Sequence, residues 1–429
     1  MDLFTEPMER IRRFDPEMAA LADAEYQRQL HTLCLIVSEN YTSPYALALE
    51  GSILANKNAH GYPDSREVGG CEVVNAIERL AAQRIQQIFR CEHVNLQSMS
   101  ASIANAAVLQ ALLKPRDTVL SLGTELGGHL SHGATDNISG MQYHVVHYGF
   151  DRQTEQIDME QVAQLARQYR PRLIICGPGA YPRLVPYGKF AEIAREVGAY
   201  LLADIAHPAG LIAAGLVESP VPYADVVTTT THKTWRGPRG CGVILCKQAL
   251  AERIDKAVSP GIQGSPKMDM IAARAVLAKE TMTEEFRAYQ QCVLDNAQAF
   301  ADELQKCGFR LVTGGTDTHL LLVDVRSHIH SGKAADAVLS QVGLVVNKEP
   351  LPFDTLPPDE TGGIRLGTPA LTTRGLQEAQ FRQIAHWISE ALYAANDPKQ
   401  LRHIGAEVAA LAARYPLFAE KWIPKEMRV

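Results

Sequence analysis

The chain has 429 residues, 46% of them hydrophobic and 21% charged. This is the balance of an ordinary globular protein, and the length points to two unequal domains rather than one small core. A net charge of -6 gives no electrostatic case for binding nucleic acid or an anionic membrane. No stretch is long and apolar enough to span a bilayer. Met1 to Arg13 is charged and lacks the apolar run of a signal peptide, so a cytoplasmic location is expected. The eight cysteines form no Cys-x-x-Cys pair and no zinc-like cluster with histidine. They read as buried, reduced thiols, and no metal is expected.

From about Asn75 to Cys246 the pattern alternates helix and strand. Residues 76–89 form an amphipathic helix with Ile77, Leu80, Ala81, Ile85 and Ile88 on one face. A short strand is expected at 94–97, and an Ala-rich helix at 102–114. Apolar strands follow at 118–120, 143–146, 173–176, 200–203, 226–228 and 243–246. Helices at 161–169 and 190–197 lie between them, and Gly198 stands where a C-cap glycine belongs. Short apolar strands between helices indicate an α/β fold with a mostly parallel sheet covered on both faces. After Glu280 a long polar helix runs over 284–306. Strands at 320–325, 344–346 and 363–366 and helices at 333–342 and 376–392 complete a smaller α/β domain. The expected division is 1–283 for an N-terminal arm and large domain and 284–429 for a small C-terminal domain, with the long helix as hinge. The Pro-rich segment 349–360 reads as an ordered loop beside the site.

Five segments carry candidate chemistry. Val226-Val-Thr-Thr-Thr-Thr-His-Lys233 runs a strand into a lysine, at the edge where open α/β sheets bind ligands. Alone, Lys233 would read as a surface lysine. Tyr200-Leu-Leu-Ala-Asp204-Ile-Ala-His207 ends a buried strand in a carboxylate that needs a partner. A protonated pyridine nitrogen is one such partner; a helix N-cap or a metal-ligand role is the alternative. Gln97-Ser-Met-Ser-Ala-Ser-Ile-Ala-Asn105 opens a helix with small hydroxylated residues. That is a dianion site if the other two segments act with it, and an ordinary Ser N-cap otherwise. Gly127-Gly-His129-Leu-Ser-His-Gly133 offers a histidine able to lie flat on a ring. Gly363-Ile-Arg365-Leu-Gly-Thr-Pro-Ala370 offers an arginine able to fork onto a carboxylate, or a surface salt bridge.

Together these segments resemble the serine hydroxymethyltransferase family. Ser38-Glu-Asn-Tyr-Thr-Ser-Pro44, and Gly61-Tyr-Pro63 followed by Gly69-Gly-Cys-Glu72, add to the match. All lie in the family's order, from about Leu35 to Ala395. The resemblance implies a fold-type-I pyridoxal-phosphate (PLP) enzyme: a mostly parallel large-domain sheet flanked by helices, plus a smaller C-terminal α/β domain. It implies a homodimer or a homotetramer, with sites at the subunit interface. Lys233 is then the Schiff-base lysine, Asp204 the partner of the pyridine nitrogen, and His129 the stacking ring. Ser100, Ala101 and Ser102 hold the phosphate, with Gly264 and Ser265 of the neighbouring subunit. Ser38, His207 and Arg365 line the substrate carboxylate side, and Thr230 and His232 flank the lysine.

The chain departs from the family in one region. Asn58 stands for the usual tyrosine, His60 for the catalytic glutamate, Glu67-Val68 for a Tyr-Tyr pair and Glu349 for the pterin-contacting asparagine. Thr124, Gly179 and Ser259 also replace usual residues. Asn58 is still placed on the substrate side, and His60 as an acid/base near the β-carbon. The expected activity is aldol-type cleavage or formation of the Cα–Cβ bond of a β-hydroxy-α-amino acid, by an aldolase, transaldolase or α-methylserine-type hydroxymethyltransferase with weak or no use of tetrahydrofolate. The alternative is the ordinary tetrahydrofolate-dependent serine enzyme.

Overall fold

The computed structural model describes residues 5–418. Seven strands build the main sheet: β1 (His93–Asn95), β2 (Thr118–Leu122), β3 (His144–Tyr148), β4 (Leu173–Cys176), β5 (Tyr200–Asp204), β6 (Val226–Thr230) and β7 (Gly242–Cys246). Their spatial order is β1-β7-β6-β5-β4-β2-β3. Strands β3, β2, β4, β5 and β6 run parallel, while β7 is antiparallel to both β6 and β1.

The strands read as continuous apolar runs because both faces are covered. Successive side chains serve opposite faces. Ile174, Leu201, Ala203, Val227, Val243 and Leu245 pack into one core with the helices α1 (Glu72–Phe89) and α4 (Tyr187–Val197). Leu173, Ile175, Leu202, Val226, Ile244 and Cys246 pack into the other with the helix α2 (Ala101–Leu112). The helix α3 (Met159–Tyr169) is capped by Asp158, whose side chain accepts from Gln161 N–H. Gly198, at φ 72°, closes α4 in the left-handed conformation expected of a C-cap glycine.

Helix α5 (Met268–Thr281) leads into the long α6 (Glu284–Lys306). Helix α6 gives Phe286 to the large core and Ala297, Phe300, Ala301 and Leu304 to a separate one. That second core lies under an antiparallel sheet of order β8-β9-β11-β10, made of β8 (Arg310–Leu311), β9 (Leu320–Asp324), β10 (Asn347–Glu349) and β11 (Gly363–Gly367). Leu33 and Leu35 also pack there, and Leu33–Cys34 pairs with Leu344–Val345. We propose residue 284 as the domain boundary, with this short N-terminal stretch lent to the C-terminal core.

Three local expectations are corrected. Helix α1 buries Val74, Glu78, Ala81, Ile85 and Phe89, and Leu80 is 42% exposed. The apolar face is rotated because Glu78 is taken inside by partners, described below. Cys91, Cys292 and Cys307 are partly exposed rather than buried, although all eight thiols are free. Helices Thr5–Phe14, Pro16–His31 and Pro398–Arg414 have no counterpart in the sequence reading.

Candidate functional site

The carboxyl ends of the parallel strands converge on Asp204, at the end of β5. Its Oδ2 accepts from Asn105 Nδ2 (2.9 Å) and faces His132 Nε2 (3.0 Å), while Oδ1 accepts from the Ala206 N–H (2.9 Å). Asn105 is held in turn by Thr228 Oγ1, which donates to its Oδ1 (2.6 Å). Burial opposes the charge on Asp204, but the His132 hydrogen bond, the His132 and His129 imidazoles and Asn105 outweigh it. They hold the carboxyl below its ordinary range. Gly177, just past β4, must be glycine: at φ 125°, a Cβ there would lie 1.9 Å from Asp204 O.

One strand over, the threonine run of β6 ends in Lys233. The lysine is partly exposed. The surrounding protein still desolvates its amine; Asp204 pulls the other way and the cations Arg365 and Arg239 add to the effect, pushing Lys233 down to about 8. Roughly a fifth of an amine at that value is neutral near physiological pH, a far larger nucleophilic fraction than an ordinary lysine offers. Asn40, in the Ser38-Glu-Asn motif, donates from Nδ2 to Lys233 O (2.8 Å) and to Tyr289 Oη (2.9 Å). Thr230 Oγ1 and His232 Nδ1 lie 2.7 Å apart beside the lysine.

His129 follows β2 in its glycine-rich loop. Its ring stands edge-on to His132 at 5.6 Å, and its Nδ1 is 2.7 Å from Ser131 Oγ. Burial lowers the imidazole to about 4, so the ring is neutral. His207, past β5, stacks on His319 at 5.6 Å and 18°. Burial depresses both, His319 to about 3. Ser100 caps α2 by accepting from the Ile103 N–H (3.1 Å), so its hydroxyl takes the N-cap role weighed against phosphate binding. The Ala101 and Ser102 N–H groups open the same helix, where backbone donors lack intrahelical partners.

Arg365, on β11, reaches the cleft from the second domain. Its Nη1 donates to Gly179 O (2.8 Å). Its Nε lies 3.2 Å from Glu349 Oε2, but off the line of a hydrogen bond, and has no hydrogen-bond partner. Burial lowers the guanidinium and Glu349 raises it. Ser38 is half-buried near this motif.

Asn58, His60, Gly264 and Ser265 form a second group. The Ala59 N–H donates to Ser265 Oγ (2.9 Å), tying the two segments together. His60 N–H donates to Asn58 Oδ1 (3.2 Å), and His60 Nδ1 is 3.5 Å from Glu67 Oε2. Among the described residues no hydrogen bond or ion pair joins this group to Lys233, Asp204 or Arg365 of the same chain.

The sequence reading missed Asn105, His132, Asn40, Tyr289, His319 and the Glu349–Arg365 pair. Two carried a signal: His132 repeats three residues after His129 in one glycine-rich loop, and Asn105 is a lone amide in an Ala-rich apolar helix. Asn40 lies inside the Ser38-Glu-Asn motif, and the others are joined to the site only by long-range packing.

A buried anion, a desolvated lysine and an open helix N-terminus at the carboxyl edge of a mostly parallel sheet define the class of the PLP enzymes of fold type I. The cradle fits that cofactor. Asp204 is an anion that suits a protonated ring nitrogen, Lys233 an amine that suits an aldehyde, and α2 a donor set that suits a phosphate. The family model described as serine hydroxymethyltransferase matches residues 11–388. A protein of Myxococcus xanthus (strain DK1622) named serine hydroxymethyltransferase is 50% identical over 417 residues, covering 96% of this chain and all of that one. The chain belongs to the serine hydroxymethyltransferase family, and is a PLP-dependent enzyme of the hydroxymethyltransferase type.

Proposed function

We propose that the enzyme transfers the hydroxymethyl carbon of serine, making and breaking the Cα–Cβ bond, with tetrahydrofolate as the one-carbon acceptor. The family match over most of the chain carries this reading. It favours the ordinary serine enzyme over the aldolase or transaldolase expected from the departures at Asn58, His60, Glu67, Val68 and Glu349. The cofactor, when bound, supplies an aldehyde for an amine and a cationic ring that takes up the electrons of the bond broken at Cα.

The chain's own groups do the rest. Asp204 stays ionised and keeps a proton on the ring nitrogen. Neutral His129 lies against the ring face without adding charge. Lys233 gives its amine and then shuttles protons near Cα. Arg365, with Ser38 and His207, would grip the substrate carboxylate and so fix the orientation of the bonds at Cα. Ser100, Ala101 and Ser102 hold the phosphate, and Thr230 and His232 keep the lysine in place. In a homodimer, Asn58, His60, Gly264 and Ser265 complete the neighbouring site. There His60, with a buried Nε2 that has no hydrogen-bond partner in one chain, holds or gives a proton at the β-oxygen.

A second reading rests on Glu349. A carboxylate there accepts but cannot donate, and so cannot replace the amide donor of the family's asparagine against a pterin. That favours carbon–carbon cleavage with weakened folate dependence. Serine turnover to glycine with and without tetrahydrofolate decides. Strict dependence supports the first reading, and folate-independent cleavage of serine, threonine or α-methylserine at a comparable rate supports the second.

A further inference from the structure

Strands β10 and β11 pair in antiparallel register, Asn347 opposite Arg365 and Glu349 opposite Gly363. Glu349 and Arg365 are therefore diagonal neighbours on one face. Both side chains are largely buried, at 15% and 16% exposure, and 3.2 Å apart. Asn347 Nδ2 donates to the same Oε2 of Glu349 (3.0 Å). The arginine assigned to the substrate carboxylate thus already faces a carboxylate of its own chain. Its Nε lies off the hydrogen-bond line of that carboxylate and is buried without a hydrogen-bond partner. The guanidinium is neutralised but not saturated, a state suited to exchanging one carboxylate for another.

We propose that Glu349 is a positioning residue that acts through Arg365: an internal carboxylate that holds the guanidinium between turnovers and yields it to the carboxylate of the incoming amino acid. The inference rests on the reading that Arg365 receives that group. Two anions cannot share one buried guanidinium without loss, so Glu349 withdraws or takes a proton from water as the substrate docks. Burial already raises the Glu349 carboxyl, against Arg365 and Asn347, which lower it. When the substrate engages Arg365, the largest lowering influence is reduced and protonation becomes easier. The charged and titratable groups around the pair are those that feel Arg365, namely Lys233, His129, His207 and His319. The three imidazoles are neutral, so Glu349 and Lys233 are left to adjust. The neutral asparagine usual in the family could not act in this way. The expected result is a competition: Glu349 weakens the binding of an amine that carries a carboxylate, while an amine without one does not meet that competition.

The test uses the holoenzyme, with glycine as the probe and the cofactor's visible absorbance as the signal. Methylamine, the same amine without a carboxylate, is the control. Glu349→Gln should tighten glycine binding by at least about threefold and leave methylamine unaffected. Calorimetry in two buffers of different ionisation enthalpy should show extra proton uptake on glycine binding in the wild type, lost in the variant. Glu349→Asn, the residue usual in the family, serves if the glutamine variant folds poorly. Unchanged glycine affinity and proton uptake, with the glycine response intact, would overturn the inference and leave the reading of Arg365 standing. Loss of any glycine response in wild type and variants alike would overturn both.

Discussion

Asp204→Asn separates charge from shape at the centre of the site. The carboxylate takes three donors: Asn105 Nδ2 and the His132 ring at Oδ2, and the Ala206 N–H at Oδ1. An amide has one oxygen and one NH2. If its oxygen faces Asn105 and His132, its NH2 meets the Ala206 N–H; if it turns, the NH2 meets the Asn105 NH2. Either way at least one hydrogen bond is lost in a buried setting, costing about 1–3 kcal/mol of stability. The loss to cofactor binding is separate. A hydrogen bond to a charged partner contributes about 1.5–3 kcal/mol, so the variant should bind PLP roughly 10- to 150-fold more weakly. Even at saturating PLP its kcat should fall further, because a neutral ring is a poorer electron acceptor. Cofactor affinity is read by fluorescence titration of the apoenzyme, and kcat by serine turnover at saturating PLP. A variant that keeps wild-type PLP affinity and a kcat within about threefold of wild type would refute the pairing of Asp204 with the ring nitrogen.

Further outcomes follow from the same geometry. Lys233→Ala should lose the visible absorbance of the lysine-bound cofactor while its circular dichroism stays native; turnover at the wild-type rate would remove Lys233 from the chemistry. Acid should destabilise the apoenzyme from about pH 6.5 downward. The buried imidazoles of His207 and His319 are held neutral in the fold, His319 at about 3. The unfolded chain binds protons near the ordinary value of about 6.5, so stability is fully present above that value and lost as pH falls toward the folded value. Each such histidine contributes a slope of about 1.4 kcal/mol per pH unit in that window. Scanning calorimetry at pH 7.5, 6.5 and 5.5 checks this, and a flat Tm would refute it. The proposed arrangement, in which Asn58, His60, Gly264 and Ser265 complete the neighbouring site, requires that activity be lost on dilution to monomer; a fully active monomer in sedimentation and assay would exclude it.

The sheet was legible in the sequence because its strands are buried on both faces. Residues 173–176 read as an apolar run and fold as β4 without change, and the long helix over 284–306 was read to the residue. Strand ends at functional positions were read short: 200–203 omitted Asp204 and 226–228 omitted Thr229 and Thr230, since polar residues look like strand stops until their buried partners are known. Candidate groups in the chain's own glycine- and threonine-rich motifs were legible. What was not legible is contact across the chain. Arg365 reads in the sequence as a fork for a carboxylate or a surface salt bridge, and neither reading names Glu349, the carboxylate it faces. The Ser100 hydroxyl accepts the cap bond of α2 from the Ile103 N–H, one of the two roles weighed for it, and its own proton is left to donate elsewhere.

The departures at 58, 60 and 67 sit in a segment whose main anchor bonds use none of their side chains, while Val68 packs partly buried against the large core. Residues Gly61–Tyr62 and Ser65–Arg66 form a small hairpin. Its anchor is Arg66, only 4% exposed, which pairs with Glu78, itself 7% exposed. Arg66 also donates to Asn75 Oδ1 (2.8 Å) and Ala59 O (2.6 Å). Gln97 donates to Glu78 Oε1 (2.8 Å) and Gly61 O (3.1 Å), and Tyr62 Oη donates to Asp255 O (2.8 Å). A buried ion pair of this kind is costly to break from one side, so Arg66→Ala should disorder the hairpin and cost about 3–5 kcal/mol. Asn58 is exposed, and the Glu67 side chain is 64% exposed. Their replacement leaves every one of these anchor bonds in place. The chain therefore changes what the hairpin offers to a ligand without changing where the hairpin stands. His60→Glu, the residue usual in the family, sets a second carboxylate beside Glu67, so it is expected to lower Tm modestly, well short of Arg66→Ala, while altering the pH profile of serine turnover. A Tm loss as large as that of Arg66→Ala would place His60 in the scaffold instead.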